Sequence, residues 1–284
     1  MPVAKVNGVR IRYEVHGRGK PVVLSHGYTA SLRMWDGQIG PLSERYRVVV
    51  YDTRGHGESE APPGDEPYSI ATFAEDQAAL MDHLGIERAI VGGLSMGGMV
   101  AQEFALRYPE RVEALLLCDT GAGMQAGALA DPELRERMAA FREQMARVAR
   151  ERGMAAVAEW MRQNPQGPRP EGSIPDGVRR HLEGVARMSV DGWLGGAHAL
   201  QTWPGVAERL PEIGSPTLVI VAELDQLRPA GEILHRRIPT SRQALITGSP
   251  HGSCLWKTDA FNRALLEFLA DVEAGRDTSG EVVY

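Results

Sequence analysis

The sequence predicts an α/β fold. It has a mostly parallel central sheet of about eight strands, flanked by helices, with a helical cap inserted between two core strands. Three observations predict it. Short, wholly apolar runs bounded by turn residues recur along the chain, as in strands buried on both faces of a parallel sheet. Amphipathic helical patterns separate these runs, and that alternation implies a sheet covered on both sides. One long stretch, 121–210, breaks the rhythm and contains no convincing buried strand.

The elements follow in order. Residues 3–16 alternate apolar and polar around Asn7-Gly8, a strong hairpin signal. Val9, Ile11, Tyr13 and Val15 then share one face, as in an antiparallel edge strand. The buried runs are Pro21 to Leu24, Val48 to Tyr51, Ala89 to Val91, Ala114 to Leu117, Thr217 to Val221 and Ala244 to Ile246. Helical patterns cover 70–84 and 96–108, and Pro109 closes the second. Within the insertion, Asp131-Pro132 reads as a helix cap followed by a first-turn proline. Leu134, Met138, Phe141, Met145 and Val148 continue it as a helical stripe. A Pro/Gly-rich loop runs from Asn164 to Gly177, and further helical segments follow at about 178–189 and 192–201. Pro211 and Pro216 flank the return to the sheet. The expected organisation is a core of 1–120 and 211–270, a cap of 121–210, and a polar, loosely held tail of 271–284. An independent helical domain at 121–210 is the weaker alternative, because strands flank it on both sides.

The chain of 284 residues is 43% hydrophobic and 24% charged, which excludes wholesale disorder. Its 31 basic residues against 37 acidic ones give a net charge of −6 without any block of like charge, and this argues against nucleic acid as the partner. Cys118 and Cys254 have no metal-spaced companions and read as free thiols of a reducing compartment. No signal-peptide apolar region opens the chain, and no apolar run approaches 18 residues. The expectation is a cytoplasmic protein that does not span a membrane.

The sharpest chemical signal is Gly93-Leu94-Ser95-Met96-Gly97-Gly98, between an apolar run and a helix. Glycines at both ends permit a tight strand-to-helix turn that forces Ser95 into a strained, exposed position at a helix N-terminus. A serine hydroxyl needs a base. Of the eight histidines, His251 in Ser249-Pro250-His251-Gly252 lies on a loop at the carboxyl end of a strand, where ligands bind in open α/β sheets. His16, His83, His181, His198 and His235 sit on the edge hairpin or at helical positions without a partner signal, and read as solvated or structural. His26 reads as a loop brace.

The base needs a carboxylate to hold it. Asp225 follows the run at 217–221 and precedes His251 by about one helix and one strand. Asp119, which also ends an apolar run, is the rival, and Glu223 a weaker one. Ser25-His26-Gly27-Tyr28, after the strand at 21–24, is placed to supply half of an oxyanion hole, with the backbone N–H groups of Tyr28 and Met96 as donors.

Four segments together resemble the α/β-hydrolase fold family. They are His26-Gly27-Tyr28, Asp52-Thr53-Arg54-Gly55-His56-Gly57-Glu58-Ser59, the serine elbow, and the pair Asp225 and His251 in the order serine, acid, histidine. The resemblance implies that the 52–59 loop is structural and that the insertion is a lid that walls the pocket and selects substrate. The elbow from Gly93 to Gln102 looks most like those of 3-oxoadipate enol-lactonases and related carboxylesterases. Dehalogenases and epoxide hydrolases of this fold carry aspartate where Ser95 stands. Pro250-His251-Gly252-Ser253-Cys254 departs from the small-residue-Gly-His setting of the lactonases.

The expected activity is a serine hydrolase acting on a small carboxylic ester or lactone, with no cofactor or metal required. The alternatives are carbon–carbon bond hydrolysis, perhydrolysis or acyl transfer on the same triad, or a ligand receptor on a hydrolase scaffold. Trp160 and Trp193 of the cap either line an apolar pocket or form the cap's own core. The segment from Gly123 to Arg209 carries 12 arginines against 11 carboxylates, while the rest of the chain carries 19 cations against 26 anions. An arginine-bearing lid is compatible with an anionic substrate, although Arg135, Arg142 and Arg147 fall opposite the apolar stripe and are expected to face water.

Overall fold

The protein is seen in a computed structural model that describes residues 2–123, 132–164 and 173–284, without the side chains of Leu134 and Met138. Nine strands form one sheet: β1 (Val3–Val6), β2 (Val9–His16), β3 (Lys20–Ser25), β4 (Tyr46–Tyr51), β5 (Ala89–Leu94), β6 (Val112–Cys118), β7 (Thr217–Ala222), β8 (Ser241–Ile246) and β9 (Gly280–Val283). Their spatial order is β1-β2-β4-β3-β5-β6-β7-β8-β9. The β1–β2 hairpin runs antiparallel, with Val6 opposite Val9 around Asn7-Gly8. β2 joins β4 antiparallel, and every later pairing is parallel. Strands β5 and β7 are buried at every position, which is why they read as unbroken apolar runs.

Helices cover both faces. On one side lie α2 (Ile70–His83), α3 (Met96–Arg107) and α8 (Arg228–Arg237). On the other lie α1 (Asp36–Ser43), the single turn α9 (Ser253–Trp256) and α10 (Thr258–Glu273). Two apolar cores follow from this layering. One contains Phe73, Val91, Val100, Phe104 and Val219; the other contains Leu24, Val50, Leu116, Ile220 and Phe268. Adjacent strand residues point to opposite cores, as the pleat requires.

Between β6 and β7 the chain makes a helical excursion through α4 (Pro132–Arg152), α5 (Met154–Gln163), α6 (Asp176–Val185) and α7 (Val190–Thr202). The last two start and end within a few residues of the patterns at 178–189 and 192–201. Asp131, the side chains of Leu134 and Met138, and most of the Pro/Gly-rich loop lie outside the described residues; Phe141, Met145 and Val148 belong to a small separate core with Val157, Val185, Met188 and Trp193. The two ends of the excursion meet, because the Val206 amide donates to the Ala122 carbonyl at 2.8 Å.

The tail corrects the sequence reading. Residues 271–273 complete α10, and 280–283 are not loose but form β9, parallel to β8 from Arg242 opposite Gly280 to Leu245 opposite Val283. Main-chain pairing holds this strand more than apolar burial. The Tyr284 amide donates to Leu245 O at 2.8 Å and the Thr247 amide to Tyr284 O at 2.9 Å. Only Val282 and Tyr284 turn partly inward, so the segment lacks the apolar run that marks the other strands.

Candidate active site

Ser95 stands between β5 and α3 with φ 56° and ψ −115°. A non-glycine residue in this region is strained, and strain of this kind persists only where the surroundings enforce it. They do. The Ser95 amide donates to Cys118 O at 2.9 Å, and Thr120 Oγ1 donates to Ser95 O at 2.8 Å. Gly97, the second residue of α3, packs so closely on β3 that a Cβ there would fall 2.1 Å from Ser25 O. The sequence could adopt this crossing only with glycine at 97. Ser95 itself is partly exposed.

His251 follows β8, and its Nδ1 donates to Asp225 Oδ2 at 2.7 Å. Asp225 follows β7, is nearly buried at 7% exposure, and accepts a second bond from the Leu227 amide at 2.9 Å on Oδ1. Both oxygens are thereby fixed. Burial pushes His251 down, but the charge and hydrogen bond of Asp225, helped by the charge of Asp119, outweigh it and carry the imidazolium up to about 9.

Asp119 takes a different place from the one its rivalry suggested. It sits just past β6 with φ 43°. Its Oδ2 accepts from the Gly252 amide at 3.1 Å, the Ser253 amide at 2.7 Å and Ser253 Oγ at 2.8 Å. It therefore holds the backbone just after His251 and not the imidazole. Its Oδ1 is buried without a hydrogen-bond partner. Burial and the charge of Asp225 push its carboxyl up to about 6, despite His251 and Ser253. Glu223 accepts from the Gly248 amide at 2.6 Å and closes a turn.

The loop after β3 lies against the elbow. A Cβ on Gly27 would fall 3.6 Å from Ser95 Cβ, so Tyr28 is the residue next along a loop in contact with the serine. Met96 is the first residue of α3, where an amide has no intrahelical acceptor. His26 braces this loop: Nδ1 donates to Gly27 O at 2.8 Å and Nε2 accepts from the Thr53 amide at 3.0 Å. Burial, with His56 close by, holds it neutral with a pKa near about 3. The 52–59 loop is likewise a scaffold. Asp52 accepts from the Leu32 and Glu58 amides at 2.7 and 2.9 Å. Arg54 makes a two-pronged bond to Asp76 at 2.9 and 2.7 Å.

The structure thus joins Asp225 to His251 directly and lays the Tyr28 loop against Ser95. It ties the serine to the histidine loop through the short segment 118–120. The excursion reaches this region through α7. Glycines 192, 195 and 196 form a small-residue face; a Cβ at Gly192 would fall 1.7 Å from Gly55 O, and one at Gly196 would meet Tyr28 and His56 at 2.9 and 3.0 Å. Trp193 packs on Tyr28 with ring centroids 4.9 Å apart and planes tilted by 39°, and the Tyr28 hydroxyl donates to Trp193 O at 2.8 Å. Trp160 instead packs on Phe141 at 5.1 Å within the excursion's own core.

Sequence reasoning passed over two residues here. His181, on α6, sets Nε2 3.4 Å from Thr29 Oγ1. Burial and the charge of His251 press it down to about 4. The signal available was the spacing Gly177, His181, Gly184, which places small residues around it on one helix face; its partner could not be read. Arg142, expected to face water, is half-buried, and its Nε has no hydrogen-bond partner.

Comparison with known proteins bears on the fold and the family. A family model described as alpha/beta hydrolase fold matches residues 20–258. The chain is 30% identical to a putative carbamate hydrolase of Azorhizobium caulinodans over 275 residues, covering 96% of this chain and all of the relative. It is 30% identical to 3-oxoadipate enol-lactonase 2 of Acinetobacter baylyi over 262 residues, 90% of this chain and 92% of that protein. Among solved structures, a thermophilic esterase from Thermogutta terrifontis superposes with a TM-score of 0.81 at 29% identity, covering 96% of this chain and 99% of that one.

Proposed function

The chain belongs to the α/β-hydrolase fold family, and from that premise we propose that it is a serine hydrolase that cleaves a small carboxylic ester or lactone. The observation that carries this reading is the strained backbone of Ser95, φ 56° at the start of α3. Nothing in folding calls for a serine in that conformation, whereas a nucleophile gains exposure above the sheet and a helix N-terminus beneath it. The hydrogen-bonded pair of His251 and Asp225 supports it, as do relatives named as an enol-lactonase, an esterase and a putative carbamate hydrolase.

In this mechanism Ser95 Oγ attacks the carbonyl carbon while His251 Nε2 takes its proton. Asp225 holds the imidazole in the Nδ1–H tautomer and offsets the charge it gains. The Tyr28 and Met96 amides receive the oxyanion. The tetrahedral adduct collapses, the C–O bond to the alkoxide breaks, and His251 returns its proton to the leaving oxygen. Water then attacks the acyl-serine, His251 takes a proton from it, and the acid departs as Ser95 recovers its hydrogen. In a lactone the leaving oxygen stays attached to the acid, so a single hydroxy acid is released. The excursion 121–210 serves as the lid over this chemistry.

The test is hydrolysis of 4-nitrophenyl acetate together with labelling by a fluorophosphonate. Wild-type protein is expected to turn over the ester and to be labelled on Ser95. Ser95→Ala is expected to keep the fold and fall to a small residual rate. Undiminished hydrolysis by Ser95→Ala would sink the mechanism.

A further inference from the structure

We infer that His181 is a positioning residue: its hydrogen bond to Thr29 sets the direction of the Tyr28 amide, so that helix α6 of the excursion completes the proposed oxyanion hole. The inference rests on the hydrolase reading above and adds to it a residue that acts at one remove from the substrate.

Gly27 to Ala30 form a four-residue turn, closed by the Ala30 amide donating to Gly27 O at 3.1 Å. Its third residue, Thr29, has φ 70°. With positive φ that position suits glycine, and a β-branched residue there is strained. Thr29 is nevertheless buried, at 8% exposure, and its Oγ1 lies 3.4 Å from His181 Nε2. A strained residue persists only where its surroundings hold it. The turn itself calls for no hydroxyl, whereas the bond to His181 needs one.

The turn passes this constraint to Tyr28. The Gly27 carbonyl and the Tyr28 N–H belong to one planar peptide and point opposite ways, so whatever holds Gly27 O also aims the Tyr28 N–H. His26 Nδ1 holds that oxygen at 2.8 Å. The Ala30 amide holds it too, from the far side of Thr29. Release of Thr29 from its strained φ opens the Ala30 bond and lets the peptide rotate. His181 therefore acts on the amide through Thr29 and does not itself meet the reacting atoms.

Helix α6 is seated to do this. One turn before His181, a Cβ on Gly177 would fall 3.1 Å from Leu255 Cδ2 of α9, which follows the His251 loop. Arg180 pairs with Asp36 of α1 at 3.8 Å. Thr29 and His181 also line a cavity of about 280 Å³ with Met34 and Met188, so on that side the ring is fixed by its bond and not by close packing. Tyr28 repeats the arrangement with the next helix, since its hydroxyl donates to Trp193 O of α7 at 2.8 Å. Two consecutive residues of the turn are thus tied to two helices of the excursion.

His181→Phe and Thr29→Val keep the shape of each side chain and remove the bond. Each should lower kcat on 4-nitrophenyl acetate about 10- to 100-fold, as expected of a displaced donor, with KM within about twofold. The double variant should be no slower than either single, because both remove one interaction. His181→Gln, whose amide reaches the place of Nε2, and Thr29→Ser should each keep the rate within about threefold. Arg180→Ala removes an ion pair of α6 without touching the turn and should leave kcat unchanged. Additive losses, equal losses in Arg180→Ala and His181→Phe, or full kcat in His181→Phe would overturn the inference. A second readout needs no turnover. Hydrogen exchange in the peptide spanning 27–30, followed by mass spectrometry, should quicken equally in His181→Phe and Thr29→Val while the melting temperature holds. Unchanged exchange in His181→Phe overturns the inference. If wild type cleaves no ester while exchange still depends on His181, the hydrolase reading falls and the hold of His181 on the turn stands.

Discussion

Asp119 Oδ2 lies 2.7 Å from the Ser253 amide, so a carboxylate at the end of β6 fixes the backbone next to His251 while Asp225 holds the imidazole itself. The next residue, Thr120, holds the Ser95 carbonyl. One three-residue segment therefore registers the serine elbow and the histidine loop against each other, and the two aspartates have separate duties.

Those duties make the first prediction. Asp225→Asn should lower kcat by about 10⁴-fold, since the imidazole loses its tautomer and charge partner. Asp119→Asn keeps the geometry of an acceptor for Ser253 and should cost less than about tenfold. Steady-state kinetics of both variants on 4-nitrophenyl acetate decide it; reversed magnitudes would make Asp119 the triad acid.

The second concerns pH. His251 must be neutral to accept the serine proton, and Asp225 and Asp119 together carry its pKa up to about 9. Activity on a neutral ester should therefore rise with pH along a limb well above the ordinary histidine value of 6.5, and be lost as pH falls through it. Asp119→Asn removes one of the raising charges, so its limb should move to lower pH. A wild-type limb at or below pH 6.5 would contradict this assignment.

Third, Gly97→Ala should inactivate the protein. The added carbon would lie 2.1 Å from the Ser25 carbonyl oxygen, and backbone cannot step aside cheaply. Overpacking of this kind costs about 1–3 kcal/mol, and a displacement of about 1 Å at the elbow costs about 100-fold in rate. Gly40→Ala on α1, where a Cβ meets nothing within 4 Å, should leave activity unchanged. Thermal melts and rates on the two variants provide the comparison.

Fourth, Arg54→Met should destabilise the fold by about 3–5 kcal/mol, because Asp76, fully buried, would lose its cation and keep only the neutral Asn7 amide on Oδ1. Arg54→Met/Asp76→Leu should recover much of the loss. Urea unfolding of the single and double variants measures both effects, and a double variant no better than the single would argue that packing, not charge, is at stake.

The parts legible in the sequence share a physical cause. Strands β3 to β7 announce themselves because burial on both faces removes alternation, and Ser95 because a tight elbow needs small residues on both sides. The hidden parts depend on partners distant in sequence. Asp119 and Asp225 both end apolar strands, and only the approach of the 247–252 loop decides which one meets the imidazole. The glycine face of α7 has no meaning until Gly55 and Tyr28 come against it. Strand β9 is held by the open edge of β8, a debt to backbone pairing that no hydrophobic pattern records. Arg142 looks like a solvated cation on a helical wheel, since a wheel shows spacing and not what packs above it.

The meeting of Ala122 and Val206 has a further consequence for descent. A segment of more than eighty residues departs and returns through one doorway, while Ser95, Asp225 and His251 all hang from strands outside it. Replacing or resculpting that segment would leave the strands that carry those three residues in place and change the α7 contacts that reach the Tyr28 loop. On the proposed reading, in which the excursion is the lid, lineages carrying this scaffold could exchange their appetite for one acyl group or another without reinventing the chemistry, and a laboratory graft across the same doorway is expected to inherit the recipient's reaction and the donor's taste.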